Sequence, residues 1–189
     1  MSATEALLSM SAIFNLGRAE VLVVDDSSYS LRLTSQMLLG FGIKVRHSCE
    51  TAEQARGMLS QRPIDLLIVD ADLADGEAYA LVEWLRRSAL DPNAYTPVLM
   101  VSGHTRKSMV ARSRDCGANF IVARPLTPST LLERILWIAR DQRPYIQGGA
   151  YAGPDRRFAD TGVLPDGVER RADRKRAADL HLPPEGDVA

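Results

Sequence analysis

Apolar and polar positions alternate along this chain in two rhythms. Short apolar runs appear at VLVVD (21–25), LLIVD (66–70), VLMVS (98–102) and FIVA (120–123), and KVRHS (44–48) forms a shorter second strand. A run of four or five apolar residues bounded by polar ones reads as a strand buried on both faces, as in a parallel sheet. Between the runs the apolar positions recur every three to four residues, the helical period. The segment SSYSLRLTSQMLLGFG opens on Ser27 or Ser28 as N-cap and stops near Gly40. TAEQARGMLSQR carries Thr51 and Gln54 at capping-box spacing. GEAYALVEWLRRSA turns Tyr79, Leu81, Val82 and Leu85 inward, and KSMVARSRDCG ends at Gly117. TPSTLLERILWIARDQ has Thr127 as N-cap and Pro128 at the first helical position. Five strand–helix units predict an α/β fold, a doubly wound five-stranded parallel sheet with helices on both faces.

Outside this core the pattern weakens. Residues 1–18 show a faint helical face at Leu7, Leu8, Phe14 and Leu16, read as an N-terminal extension. The domain is expected over 19–142. From 143 to 189 glycine and proline are frequent and large aliphatics few, which predicts a flexible, arginine-rich, disordered C-terminal tail. Within it, VERRADRKRAADL could form a short helix.

Composition changes little. The net charge of −1 over 189 residues argues against a nucleic-acid surface or polybasic anchor. Cys49 and Cys116 are too few and too far apart for a disulfide framework or metal cluster and read as packed, reduced thiols. The opening has Glu5 where a secretory signal needs a basic residue, and no apolar run is long enough to span a membrane. The expected location is cytoplasmic, with no membrane insertion and no DNA partner.

The chemistry lies at the strand ends. In a doubly wound sheet the ligand crevice lies at the carboxyl ends of the strands, and those ends carry Asp25 and Asp26, Asp70, Ser102, and Arg124-Pro125. Adjacent carboxylates repel, by about 4 kcal/mol at 4 Å and an effective dielectric near 20. A divalent cation would offset that cost. Three carboxylates form a hard oxygen site suited to Mg²⁺, expected to be held mainly by Asp26 and Asp70 with Asp25 acting through water. Arg124 adds a second cation and Ser102 a hydroxyl.

With these residues in place, the stretch from Glu20 to Gln142 closely resembles a response-regulator receiver domain of two-component signalling, with a flavodoxin-like fold. The likeness rests on DD at Asp25-Asp26, LLIVD at Asp70, VLMVSG at Ser102 and VARP at Arg124-Pro125. It implies that Asp70 accepts a phosphoryl group from a histidine kinase or phosphotransfer protein. It also implies Mg²⁺ on Asp25, Asp26, Asp70 and the backbone carbonyl of Asp72, and Ser102 as a switch hydroxyl coupled to Ile121. A cis bond at Arg124-Pro125 belongs to the same pattern. The resemblance further implies a stand-alone regulator, not an enzyme beyond its own phosphotransfer and dephosphorylation. Its output would be protein contact through the fourth helix, fifth strand and fifth helix, a face that could also serve a dimer.

The sequence departs from the family in three places. Arg124 replaces the usual Lys, Ile121 replaces the usual aromatic, and the loop after Asp70 has Ala74 and Ala78 where Pro and Gly are usual. VDADLADG also resembles the nucleophile motif of haloacid-dehalogenase-like phosphohydrolases, but the acidic pair precedes it and no suitable Lys follows. In the tail, Tyr151, Asp155, Arg156 and Arg157 resemble the arginine-rich extension of stand-alone receivers that bind cyclic di-GMP, the alternative function considered for this chain.

Overall fold

The computed structural model describes residues 16–104, 106–149 and 151–156. Strands β1 (Glu20–Val24), β2 (Val45–Cys49), β3 (Leu66–Asp70), β4 (Val98–Ser102) and β5 (Phe120–Ala123) form one sheet in the order β2-β1-β3-β4-β5. Every pairing in it is parallel. Helices α1 (Ser28–Gly40), α2 (Ala52–Gln61), α3 (Ala78–Arg87), α4 (Lys107–Asp115) and α5 (Pro128–Arg140) follow the strands in turn.

Because successive strand residues point to opposite faces, the apolar runs feed two cores. Leu22, Val24, Leu67, Val69 and Met100 meet α2 and α3, with Tyr79, Leu81, Val82 and Leu85 all buried as expected. Val21, Val23, Ile68, Leu99 and Val101 meet α1 and α5 through Leu31, Leu38, Leu131 and Ile135. Three helices start as the sequence predicts. Ser27 Oγ accepts from the Ser30 amide, Thr51 Oγ1 from that of Gln54, and Thr127 Oγ1 from that of Thr130, with Pro128 in the first turn. Each bond satisfies an amide that the helix leaves unpaired.

The C-terminal boundary differs from expectation. The folded unit runs on to Asp155 instead of ending at 142. Residues 143–155 belong to it because β6 (Tyr145–Gly148) and β7 (Tyr151–Pro154) form an antiparallel hairpin, with Ala152, Gly153 and Pro154 buried. The hairpin packs where a side chain would not fit. A Cβ on Gly117 would lie 2.4 Å from the Ala152 carbonyl oxygen, and one on Gly153 would lie 2.8 Å from Gly117 Cα. Gly117 also has φ +95°, a left-handed conformation glycine adopts readily.

Arg86, 5% exposed, ties this end together. Nε donates to the Gly117 carbonyl, Nη1 to the carbonyls of Ala94 and Thr96, and Nη2 to Asn119 Oδ1. Tyr145 of the hairpin lies over the same guanidinium at 5.1 Å, and its hydroxyl donates to Asn119 Oδ1. The expected N-terminal extension survives in the described residues as a single 3₁₀ turn, Leu16–Arg18. The helix expected in VERRADRKRAADL lies outside the described residues. No helix among those described is long and apolar enough to cross a membrane.

Candidate functional site

The strand-end residues meet at one rim. Asp25 closes β1 and Asp70 closes β3, and both are buried, at 5% and 8% exposure. Asp26, one residue on, is exposed. Carboxylate oxygens of Asp25, Asp26 and Asp70 lie within 4.8 Å of one another. The sheet register sets this spacing, because β1 and β3 are adjacent and in phase up to Val24 opposite Val69.

Arg124, just past β5, reaches into the cluster. Its Nη2 donates to Asp25 Oδ2 at 2.6 Å and to Asp70 Oδ2 at 2.8 Å, while Nη1 donates to Ser30 Oγ at 2.9 Å. The Arg124–Pro125 peptide is cis, as the resemblance implied; Asp91–Pro92 is cis as well. Sequence reasoning assigned most of the charge balance at this rim to a bound metal, with Arg124 as a second cation. In the structure a guanidinium from the chain itself supplies part of it.

Asp25 Oδ1 accepts from the Ser27 amide, and Asp26 Oδ2 from the amide of Ala74 in the loop after β3. Asp70 Oδ1 accepts from the Asp72 amide. Burial pushes the Asp70 carboxyl above the usual carboxylate range. The Asp72 amide and Arg124 pull it back, and the charges of Asp25 and Asp72 add to the rise. Arg124 behaves differently. Burial alone would lower it, but the Asp25 hydrogen bond and the charges of Asp70, Asp25 and Asp72 outweigh burial and hold it above its ordinary value. The two shifts are compatible, since Asp70 shares its cation with Asp25 and meets two other acids.

In the receiver reading of the sequence only the backbone carbonyl of Asp72 has a role, and its carboxylate figures solely as the acid/base of the phosphohydrolase alternative. Its Oδ2 accepts from the Gly103 amide at 2.9 Å and lies 3.1 Å from Ser102 Oγ. Ser102 is fully buried and accepts from the His104 amide. Its hydroxyl has one proton to donate and two acceptors in reach, Asp72 Oδ2 and the His104 carbonyl, the latter 2.8 Å away. The expected switch hydroxyl is therefore held by Asp72 and His104. Only the spacing of two residues from Asp70 marked Asp72 in the sequence. Ser30, half-buried on the first turn of α1, carried no such signal.

Ile121 is half-buried and packs on the core formed by α2 and α3. Beside the rim, a groove of about 400 Å³ opens between α1 and the β5–α5 connection, walled by Tyr29, Leu33 and Leu126. Of the expected nucleotide set, Tyr151 opens β7 and Asp155 and Arg156 directly follow it. Tyr151 donates its hydroxyl to the Pro154 carbonyl, and the Asp155 amide donates to the Pro144 carbonyl. Arg157 lies outside the described residues.

Residues 21–136 match the response regulator receiver domain, more than half of the chain. This protein belongs to that family. Chemotaxis protein CheY-3 of Vibrio cholerae is 25% identical over 126 residues, covering 67% of this chain and 95% of its own. Chemotaxis protein CheY of Pseudomonas aeruginosa is 26% identical over 116 residues, covering 61% and 92%. Among solved structures, a CheY-like receiver domain protein from Methanospirillum hungatei superposes with a TM-score of 0.56 at 27% identity, covering 62% of this chain and 90% of that one. Vibrio cholerae CheY4 superposes at 0.59 and 23% identity, covering 64% and 98%, a likeness of fold. Receiver domains are signalling modules that work with histidine kinases or phosphotransfer proteins, and are not classical enzymes. The family match ends before the β6–β7 hairpin, which is an addition to the receiver fold of this chain.

Proposed function

We propose that this receiver is a phospho-switched protein-binding module whose phosphoacceptor is Asp70. The carrying observation is the position of Asp70. Among the described residues it alone ends an apolar strand between an acidic pair and a cationic side chain, with its oxygens 2.8 Å from Arg124 and 3.1 Å from the Asp72 amide. In the transfer, a carboxylate oxygen of Asp70 attacks the phosphorus carried by a donor histidine. The P–O bond forms, the P–N bond breaks, and the imidazole leaves and takes up a proton. The hard donor set of Asp25, Asp26, Asp70 and the Asp72 carbonyl fits Mg²⁺. Such an ion, when bound, supplies neutralising charge for the phosphoryl oxygens in flight.

The chain's own residues do the rest. Arg124, already on Asp70, is placed to donate to the new phosphoryl oxygens. Ser102 gives up Asp72 and His104 to donate to the same group, which loosens the contact between the loops after β3 and β4. That change is read on the face formed by α4, β5 and α5, where Val110 is 42% exposed.

The test is labelling of the purified protein with a small-molecule phosphodonor. The expected label is acid-labile, sensitive to hydroxylamine and absent in Asp70→Asn. A label that persists in that variant overturns the assignment.

A further inference from the structure

We propose that the Arg124 guanidinium is the resident cation of the acid rim, and that a divalent cation binds there by displacing it from Asp25. This rests on the reading of the rim as a divalent-cation site. A single nitrogen, Nη2, bridges Asp25 Oδ2 and Asp70 Oδ2 at 2.6 and 2.8 Å. Both residues belong to the three whose carboxylate oxygens lie within 4.8 Å of one another. The guanidinium and a divalent cation therefore claim lone pairs of the same buried acids. Two cations sharing those acids would repel at close range in a poorly solvated site.

The bridge is held from its other end too, because Nη1 donates to Ser30 Oγ on α1. A planar guanidinium bonded through two of its nitrogens has one geometry. An ammonium on a flexible stem could keep Asp70 and give up Asp25 without leaving the site. Exposure follows the same division. The Asp25 and Asp70 side chains are 7% and 9% exposed, while that of Arg124 is 32% exposed. Water can receive the displaced cation but does not readily reach the acids beneath it. Asp26, exposed and bonded through one oxygen to the Ala74 amide, is the point of entry. Displacement would leave Arg124 on Asp70 alone, free to turn toward an incoming phosphoryl group. Metal binding thus prepares the cation that transfer needs, and the preference for Arg over Lys sets how much metal that requires.

The test is calorimetric titration of MgCl₂ and MnCl₂ into the full-length protein and three variants. Arg124→Lys keeps the charge and loses the bridge, so it is expected to bind both ions about tenfold more tightly than the unaltered chain. Arg124→Gln removes the competitor and should bind at least as tightly as Arg124→Lys. Ser30→Ala, which touches no carboxylate, should tighten binding by roughly two- to fivefold by loosening the fork. Circular dichroism on each variant checks the fold. Equal or weaker affinity in Arg124→Lys overturns the proposal. If no protein binds either ion, this inference and the divalent-site reading fall together. The Asp70 label, measured without metal, then decides the phosphoacceptor reading separately.

Discussion

At the carboxyl ends of the strands Arg124 lies among carboxylates, whereas at the amino ends Arg86 lies among neutral oxygens. Arg86 is the more deeply buried of the two, and burial pulls its guanidinium below its ordinary value. Arg124 is held above its own by the acids around it. The acceptors explain the contrast. Arg86 satisfies the Gly117, Ala94 and Thr96 carbonyls, which close the chain before β4 and β5, so its hydrogen bonds are structural joints. Arg124 compensates charge that another cation could also compensate, so its bonds are exchangeable. The same side chain type is a fixture at one end of the sheet and a movable part at the other.

The largest expected effect follows from breaking the fixture. Arg86→Met would strand the three buried carbonyls of Gly117, Ala94 and Thr96 and is expected to lower stability by about 3–5 kcal/mol in chemical denaturation. A loss below about 1 kcal/mol would mean that water replaces those bonds and that the joint is not structural. Next comes the hairpin packed beside it. Gly117→Ala sets a Cβ against the Ala152 carbonyl in a left-handed conformation and is expected to cost about 2 kcal/mol. The same substitution should expose the β6–β7 hairpin to proteolysis, and unchanged protection would show that the close approach is absent.

At the other end the expected cost is smaller. Arg124→Gln in metal-free buffer removes a partly exposed cation and should lower stability by about 1–2 kcal/mol. Millimolar Mg²⁺ should recover that loss by linkage. If this variant lost as much as Arg86→Met and Mg²⁺ restored none of it, the two arginines would play the same role.

The smallest effect tests charge at the hairpin end. Asp141 accepts from the Arg143 amide, Nε and Nη2. Burial would raise its carboxyl, but the Arg143 bonds win and hold it below the usual range. Its folded value is depressed, so its contribution is present above the unfolded value near pH 4 and is lost as pH falls through the folded one. Asp141→Asn should therefore cost about 1 kcal/mol at pH 7, with the gap closing in acid. Melting curves that stay equally separated from pH 7 to pH 3 would contradict it.

Much of the fold was legible because its signals are local. Each apolar run became a strand, and Ser27, Thr51 and Thr127 capped their helices, since strand burial and capping depend on neighbours within a few residues. The rim was legible for a similar reason, because strand ends gather at one edge once the sheet is parallel. The hairpin was not. YIQG and YAGP lack a strand pattern, and what holds them, Gly117, Arg86 and Asn119, lies in distant parts of the chain. The contacts of the Asp72 carboxylate were not legible because its partners, Ser102 and Gly103, are thirty and thirty-one residues away.

By itself the sequence determined the strand and helix order, the family, and which residue types stand at each strand end. Only the tertiary structure decided how the charges at those ends are shared. Arg124 is 99 residues from Asp25 and 54 from Asp70. Whether it pairs with one, both or neither depends on the reach of a side chain across β1, β3, β4 and β5 and on Ser30 holding the far nitrogen. Such pairing depends on distances of a few ångströms between strands, and hydrophobic pattern carries no information at that scale.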